Sequence, residues 1–196
     1  MKKILIIDTR AGNLFSLQAA INRLGFETKT LLKPNEEDFD GIVVPGQGRF
    51  GTVMKNIREH GWEKYLTEAR NRNCPMLGIC VGMQIFFESS EEDPGTSGLA
   101  WFKGKAQALN FPKKPMVGWS RLNSQIWTAQ AVYFVNSYAV KSSQYCIATT
   151  NYGENFCAAI RKGSFTGVQF HPEKSGQTGA QIIQQSLTDN ENSLDD

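Results

Sequence analysis

The chain has 196 residues, 40% of them hydrophobic and 20% charged, with a formal net charge of +2. That length can bury a sizeable single core without disulfide or metal staples, and Lys and Arg are scattered rather than blocked, which excludes the clustered footprint of a nucleic-acid binder. No stretch approaches the roughly 20 apolar residues needed to cross a bilayer, so a soluble, cytoplasmic protein without nucleic-acid or membrane partners is expected.

The chain opens with a short apolar run from Ile4 to Ile7 that stops at Asp8, which reads as a first strand and not as a signal peptide. Leu14, Leu17, Ala20, Ile21 and Leu24 then recur at helical spacing and Gly25 ends the segment. Residues 28–32 and 41–44 are the next strands, 53–57 and 62–72 read as helix, and 75–79 is a buried strand running into a turn at Cys80, which opens a further helix. Such alternation implies a parallel sheet with helices on both faces. Beyond Gly95 the texture changes to shorter, more aromatic strands at 103–109, 132–140, 145–150, 156–161 and 166–170, which either extend the sheet or fold over its edge. A closing helix at 179–187 and an acidic, frayed tail at 188–196 complete the expectation of one α/β domain spanning residues 1–187.

Four cysteines are present, with no C-x-x-C pair and only His60 and His171 for company, so no zinc-ligand pattern exists. Isolated thiols in a reducing compartment fit this usage, with Cys74, Cys146 and Cys157 as small buried hydrophobes. Cys80 is different because glycines flank it in Gly78-Ile79-Cys80-Val81-Gly82. A strand that turns abruptly into a helix crowds neighbouring backbones and strains the residue at the corner, and glycine fits on either side. The start of a helix also favours thiolate over thiol.

A thiol that attacks an amide needs a base, and later an acid for the departing amine; imidazole does both near neutral pH. His60 lies in a polar helix end and reads as solvated. His171 follows the strand Thr166-Gly167-Val168-Gln169-Phe170, and Pro172 stops further pairing, so the imidazole sits where open α/β sheets place ligands. Glu173, two residues on, can turn back to the other ring nitrogen and fix the tautomer. A second glycine turn, Pro45-Gly46-Gln47-Gly48, also follows an apolar strand. With the Val81 amide it can supply an oxyanion hole, a plain β-turn being the alternative.

These motifs, Gly-Ile-Cys-Val-Gly-Met-Gln and Phe-His-Pro-Glu in this order, resemble the class I, triad-type glutamine amidotransferases over nearly the whole chain, from Asp8 to Gly176. Smaller signs bring the chain nearest to the glutaminase subunits of imidazole glycerol phosphate synthases: Gly12-Asn13-Leu14 after the first strand, Gly118-Trp119, Tyr133-Phe134-Val135, Ser137-Tyr138, and Lys174-Ser175-Gly176 after the His-Pro-Glu. The resemblance implies a flavodoxin-like sheet with an added antiparallel portion. It also implies hydrolysis of L-glutamine to glutamate and ammonia by Cys80, His171 and Glu173, with Gly46, Gly48 and Val81 at the oxyanion and Gln84, Ser137 and Tyr138 holding glutamine. By the same likeness Asn13, Trp119, Tyr133 and Lys174 face a (β/α)8-barrel cyclase that receives the ammonia within a heterodimer for histidine biosynthesis. No metal or organic cofactor is implied.

The chain departs from that pattern at Thr9 and Arg10, at Met116 and Val117 before Gly118, at Ser120 and at Asn136, none of them in the triad. These departures motivate an alternative, a paralogue supplying ammonia to another synthase such as one aminating a surface sugar. A non-catalytic interaction subunit retaining the fold is the alternative of another class, and the intact Cys80, His171 and Glu173 argue against it.

Overall fold

In the computed structural model, which describes residues 1–10, 12, 14–111, 113–127 and 130–188, the apolar runs at Lys3–Ile7 (β1), Gly41–Gly46 (β3), Met76–Cys80 (β4) and Phe165–Val168 (β13) lie side by side. Nearly every residue of these four strands is buried, as expected where helices cover a parallel sheet on both faces. The helices are Leu14–Arg23 (α1), Phe50–Glu59 (α2), Trp62–Asn71 (α3), Val81–Gln84 (α4) and Gly176–Thr188 (α5), with α1 packed on α5 and α2 on α3.

Glu27–Leu31 (β2) edges an eight-stranded sheet ordered β2-β1-β3-β4-β13-β12-β11-β8, where β12 is Asn155–Lys162, β11 is Cys146–Asn151 and β8 is Asn123–Ser124. From β2 to β13 the neighbours run parallel, and from β13 to β8 they run antiparallel. Both expected fates of the second half therefore occur. β11, β12 and β13 extend the sheet, while Phe87–Ser90 (β5), Phe102–Ala108 (β6) and Tyr138–Val140 (β10) form a three-stranded sheet, and Met116–Arg121 (β7) pairs with Ala131–Asn136 (β9).

Four sequence expectations need correction. The strand expected at 132–140 is two, because β9 pairs with β7 and β10 with β6, and the chain changes partner at Ser137. The strands β5, β7 and β8 escaped the sequence reading; β5 and β8 span four and two residues, too short to declare a period. The helix opened by Cys80 is a single turn before the chain enters β5, so it carries little macrodipole and contributes amides instead. Finally, Cys146 and Cys157 are not isolated thiols. The register of β11 shifts against β12 on either side of Ala148, bringing the two residues to a Cα separation of 5.9 Å, where a disulfide joins them. Cys74 and Cys80 are free. The expected tail from Thr188 begins inside α5 and otherwise lies outside the described residues. Among the described residues no helix is long and apolar enough to cross a membrane.

Candidate active site

The turn at the end of β4 has the strain its sequence calls for. Cys80 adopts φ 56° and ψ −115°, a left-handed conformation that costs a residue with a side chain on the order of 1–3 kcal/mol and persists where surrounding structure imposes it. The imposition comes from β3. Gly46 pairs in register with Cys80, and the two backbones run so close that a Cβ on Gly82 would strike the Val44 carbonyl oxygen and one on Gly46 would strike the Gly82 amide nitrogen. Gly46 and Gly82 are thus required by contact between β3 and the elbow, and Gly78 by its approach to the Gly82 carbonyl oxygen within the turn.

β13 runs parallel to β4, with Val168 opposite Ile79, and delivers His171 beside Cys80 at the carboxyl end of the sheet. The His171 amide donates to the Tyr133 carbonyl at 2.8 Å, which ties the histidine to β9. A 3-10 turn over Pro172–Lys174 then folds Glu173 back, so that its Oε1 lies 2.9 Å from His171 Nδ1, each side chain only 4% exposed. Burial alone lowers the basicity of His171, but hydrogen bonds to Cys80 and Glu173 outweigh it, and the pKa is pushed up to about 10. The ring therefore keeps its proton through neutral pH. Thiol, imidazole and carboxylate stand in line in the order anticipated for an acyl-transfer site.

A cavity of about 280 Å³ opens on the sulfur, just below the usual range for ligand pockets (roughly 300–1,000 Å³) and suited to a single amino acid. On one side stand Gln47 and Gly48 from the glycine turn; on the other, Val81 and Gln84 follow the nucleophile; Asn136, Ser137 and Tyr138 close the far wall. Gln84 is buried, its Nε2 donating to the Tyr138 carbonyl at 3.0 Å and to Gln169 Oε1 at 2.9 Å, while its own Oε1 has no partner. Asn136 Oδ1 is a second buried acceptor without a partner on this wall.

Two residues at the site escaped the sequence reading. Glu92 lines the cavity, and its Oε2 accepts from the Phe50 amide at 2.9 Å, while the neighbouring Asp93 accepts from the Gly51 amide at 2.9 Å and pairs with Arg49. The two acids cap the start of α2 and anchor the glycine turn that precedes it. In the sequence they look like an ordinary acidic loop, Glu91-Glu92-Asp93. Gln169 is fully buried and places Nε2 3.6 Å from Cys80 Sγ. A polar residue in the strand leading to His171 was its only signal.

Of the residues expected to face a partner, Trp119 and Tyr133 sit opposite each other on the β7/β9 pair with edge-to-face rings 5.9 Å apart, and Trp119 is 58% exposed. Lys174 lies with Nζ 5.9 Å from the Tyr133 ring and also reaches the cavity wall, so one residue joins that surface to the site. Asn13 lies outside the described residues. The departures from the family pattern scatter: Met116 is buried, Ser120 shares a 2.8 Å hydrogen bond with Thr150, and Asn136 faces the cavity.

Comparison with known proteins places this arrangement. The family model described as "Glutamine amidotransferase class-I" matches residues 5–190. The imidazole glycerol phosphate synthase subunit HisH of Carboxydothermus hydrogenoformans is 41% identical over 192 residues, covering 91% of this chain and 96% of that protein. The HisH subunit of Buchnera aphidicola is 38% identical over 200 residues, covering 94% and 98%. A crystal structure described as a glutamine amidotransferase superposes with a TM-score of 0.77 at 19% identity, covering 93% of this chain and 97% of its own, a likeness of fold. The chain belongs to the class-I glutamine amidotransferases and, within them, to the family of HisH subunits of imidazole glycerol phosphate synthase.

Proposed function

We propose that the chain is the glutaminase subunit of an imidazole glycerol phosphate synthase, hydrolysing L-glutamine to glutamate and ammonia. The observation that carries this reading is the Cys80, His171 and Glu173 line at the wall of an amino-acid-sized cavity, with His171 Nδ1 2.9 Å from Glu173 Oε1. Cys80 Sγ attacks the side-chain carboxamide carbon of glutamine, and the carbonyl electrons move to the oxygen. That oxyanion is held by the Val81 amide and the glycine turn at Gly46 and Gly48, which lies against the elbow. The tetrahedral species collapses, the carbon–nitrogen bond breaks, and the His171 imidazolium gives its proton to the departing nitrogen, so ammonia leaves and a thioester remains. Water then attacks the thioester with His171 as base, releasing glutamate and regenerating Cys80.

Gln84, Ser137 and Tyr138 hold the substrate, and Glu92 is placed to pair with its α-ammonium group. Trp119, Tyr133 and Lys174 belong to the surface that meets a (β/α)8-barrel cyclase, which takes the ammonia in histidine biosynthesis. The complex is a cytoplasmic heterodimer on this reading. Support for the surface is an exposed tryptophan backed by a tyrosine and a lysine that also touches the cavity.

The test is treatment of the reconstituted complex with a glutamine-analogue electrophile, followed by peptide mass spectrometry and a glutamine-dependent synthesis assay. A single adduct on Cys80 with loss of glutamine-dependent but not ammonium-dependent turnover is expected. No adduct on Cys80 in the presence of the cyclase would overturn the reading.

A further inference from the structure

Besides the His171 imidazole, the sulfur of Cys80 meets the Val135 carbonyl oxygen at 3.8 Å and Gln169 Nε2 at 3.6 Å, and Glu92 and Lys174 are the other charged groups lining its cavity. Gln169 and His171 follow the end of β13 at Val168, and both side chains reach the sulfur. Gln169 is 0% exposed, and its backbone is fixed by a 2.8 Å bond from its amide to the Ala158 carbonyl.

The direction of its carboxamide follows from a chain of hydrogen bonds that ends on a main-chain carbonyl. Tyr138 O can only accept, so the group Gln84 turns toward it, at 3.0 Å, is Nε2. Gln84 Nε2 also meets Gln169 at 2.9 Å, which obliges Gln169 to present its oxygen there. The remaining end of the Gln169 carboxamide, its NH2, therefore faces Cys80 Sγ at 3.6 Å, a normal length for a donor meeting the large sulfur atom. Asn136 Nδ2 donates to the same Tyr138 carbonyl at 3.1 Å, so Asn136 and Gln84 line the cavity with Gln169 buried behind them.

We propose that Gln169 is a positioning residue for the nucleophile: its N–H holds the sulfur of Cys80 at the elbow, and its oxygen couples that sulfur to Gln84 at the substrate cavity. The proposal rests on the glutaminase reading for its biological meaning but not for its test. A neutral thiol is a weak acceptor, whereas a thiolate accepts a charge-assisted bond, so a donor fixed at this place favours the charged form. The other end of the relay matters too. Gln84 also lines the cavity, and a substrate that bonds its carboxamide polarises it and strengthens the bond Gln84 donates to Gln169. A carboxamide suits this position, since its oxygen accepts from Gln84 while its nitrogen donates to sulfur.

The experiment measures alkylation of Cys80 by iodoacetamide in the full chain as a function of pH, reading the adduct on the Cys80 peptide by mass spectrometry, with no glutamine present. Gln169→Met keeps the shape and removes the donor. The rate at pH 7 is expected to fall by about tenfold or more, the lower bound for one charge-assisted bond, and the profile to move to higher pH. Gln169→Glu, which puts an acceptor against the sulfur, moves it further and serves if the methionine variant does not fold. Gln84→Met shifts the profile the same way by less, and the Gln84→Met, Gln169→Met double variant behaves as Gln169→Met alone because the relay passes through Gln169. A profile for folded Gln169→Met that superimposes on the wild type overturns the donor, and additive shifts overturn the coupling to Gln84. If the unaltered protein with its cyclase fails to hydrolyse glutamine while these shifts occur, the glutaminase reading fails and the sulfur contact stands.

Discussion

Replacing Glu173 by glutamine changes one charge at the centre of the site and little of its shape. The carboxylate takes part in a 2.9 Å bond with His171 Nδ1, both side chains 4% exposed, while its second oxygen, Oε2, is buried without a partner. A glutamine amide has two ways to fit. With its oxygen on Nδ1, the NH2 occupies the place of Oε2 and becomes a buried donor without a partner, and the charge-assisted part of the bond is gone, about 1.5–3 kcal/mol or roughly 10- to 150-fold in rate. With its NH2 on Nδ1, the ring is forced to carry its proton on the nitrogen facing Cys80 and cannot act as base, a fault that costs on the order of 10⁴ in the one well-studied triad. Glutamine hydrolysis by the complex is therefore expected to fall by about 10²–10⁴, less than for His171→Ala. NMR titration of the imidazole, in a background where His60→Gln removes the other histidine signal, checks the cause. The His171 midpoint, held up at about 10 by Cys80 and Glu173 against burial, should drop by roughly one to two units. The sign of the stability change follows. A raised histidine stabilises the fold fully at pH 6, below the ordinary imidazole value of about 6.5, and loses that contribution as pH climbs through about 10, so the wild type's advantage over Glu173→Gln in urea should shrink across that window. A fully active Glu173→Gln protein with an unmoved His171 midpoint would refute the role given to the carboxylate.

Cys80→Ala should abolish glutamine-dependent synthesis while leaving the cyclase active on ammonium, as read by product formation with each nitrogen source. Gly82→Ala places a methyl group against the Val44 carbonyl oxygen and should cost more than the ~1 kcal/mol typical of point substitutions, measured by urea denaturation, together with loss of Cys80 alkylation if the elbow is displaced. Trp119→Ala, at a side chain 58% exposed, should leave the stability of the free chain nearly unchanged but weaken binding of the cyclase by about 2 kcal/mol or roughly 30-fold in calorimetry. Glutamine hydrolysis should be slow in the isolated chain and rise by about 10²-fold with the liganded cyclase, since loss of one oxyanion donor costs roughly 3 kcal/mol and the turn at Gly48, with φ +93°, has the backbone freedom to turn an amide away. A free subunit as fast as the complex would exclude that switch.

The elbow and the Cys80, His171 and Glu173 line were legible in the chain because each depends on local geometry: glycines either side of a cysteine at a strand end, and a proline that turns a glutamate back toward a histidine two residues earlier. The parallel half of the sheet was legible for the same kind of reason, as continuous apolar strands separated by helical periods. What the tertiary structure alone decided are contacts between segments distant in sequence. Whether Cys146 meets Cys157 depends on a bulge beside Ala148, and a shift of one residue would turn a side chain to the other face. Glu92 is an unremarkable loop acid until the loop folds onto the start of α2, 42 residues earlier. Gln169 lies 89 residues from Cys80, and only the parallel pairing of β13 with β4 brings its N–H to the sulfur. Sequence specifies the chemistry that local backbone can strain or turn into place, and the register of the sheet chooses which buried polar groups surround it.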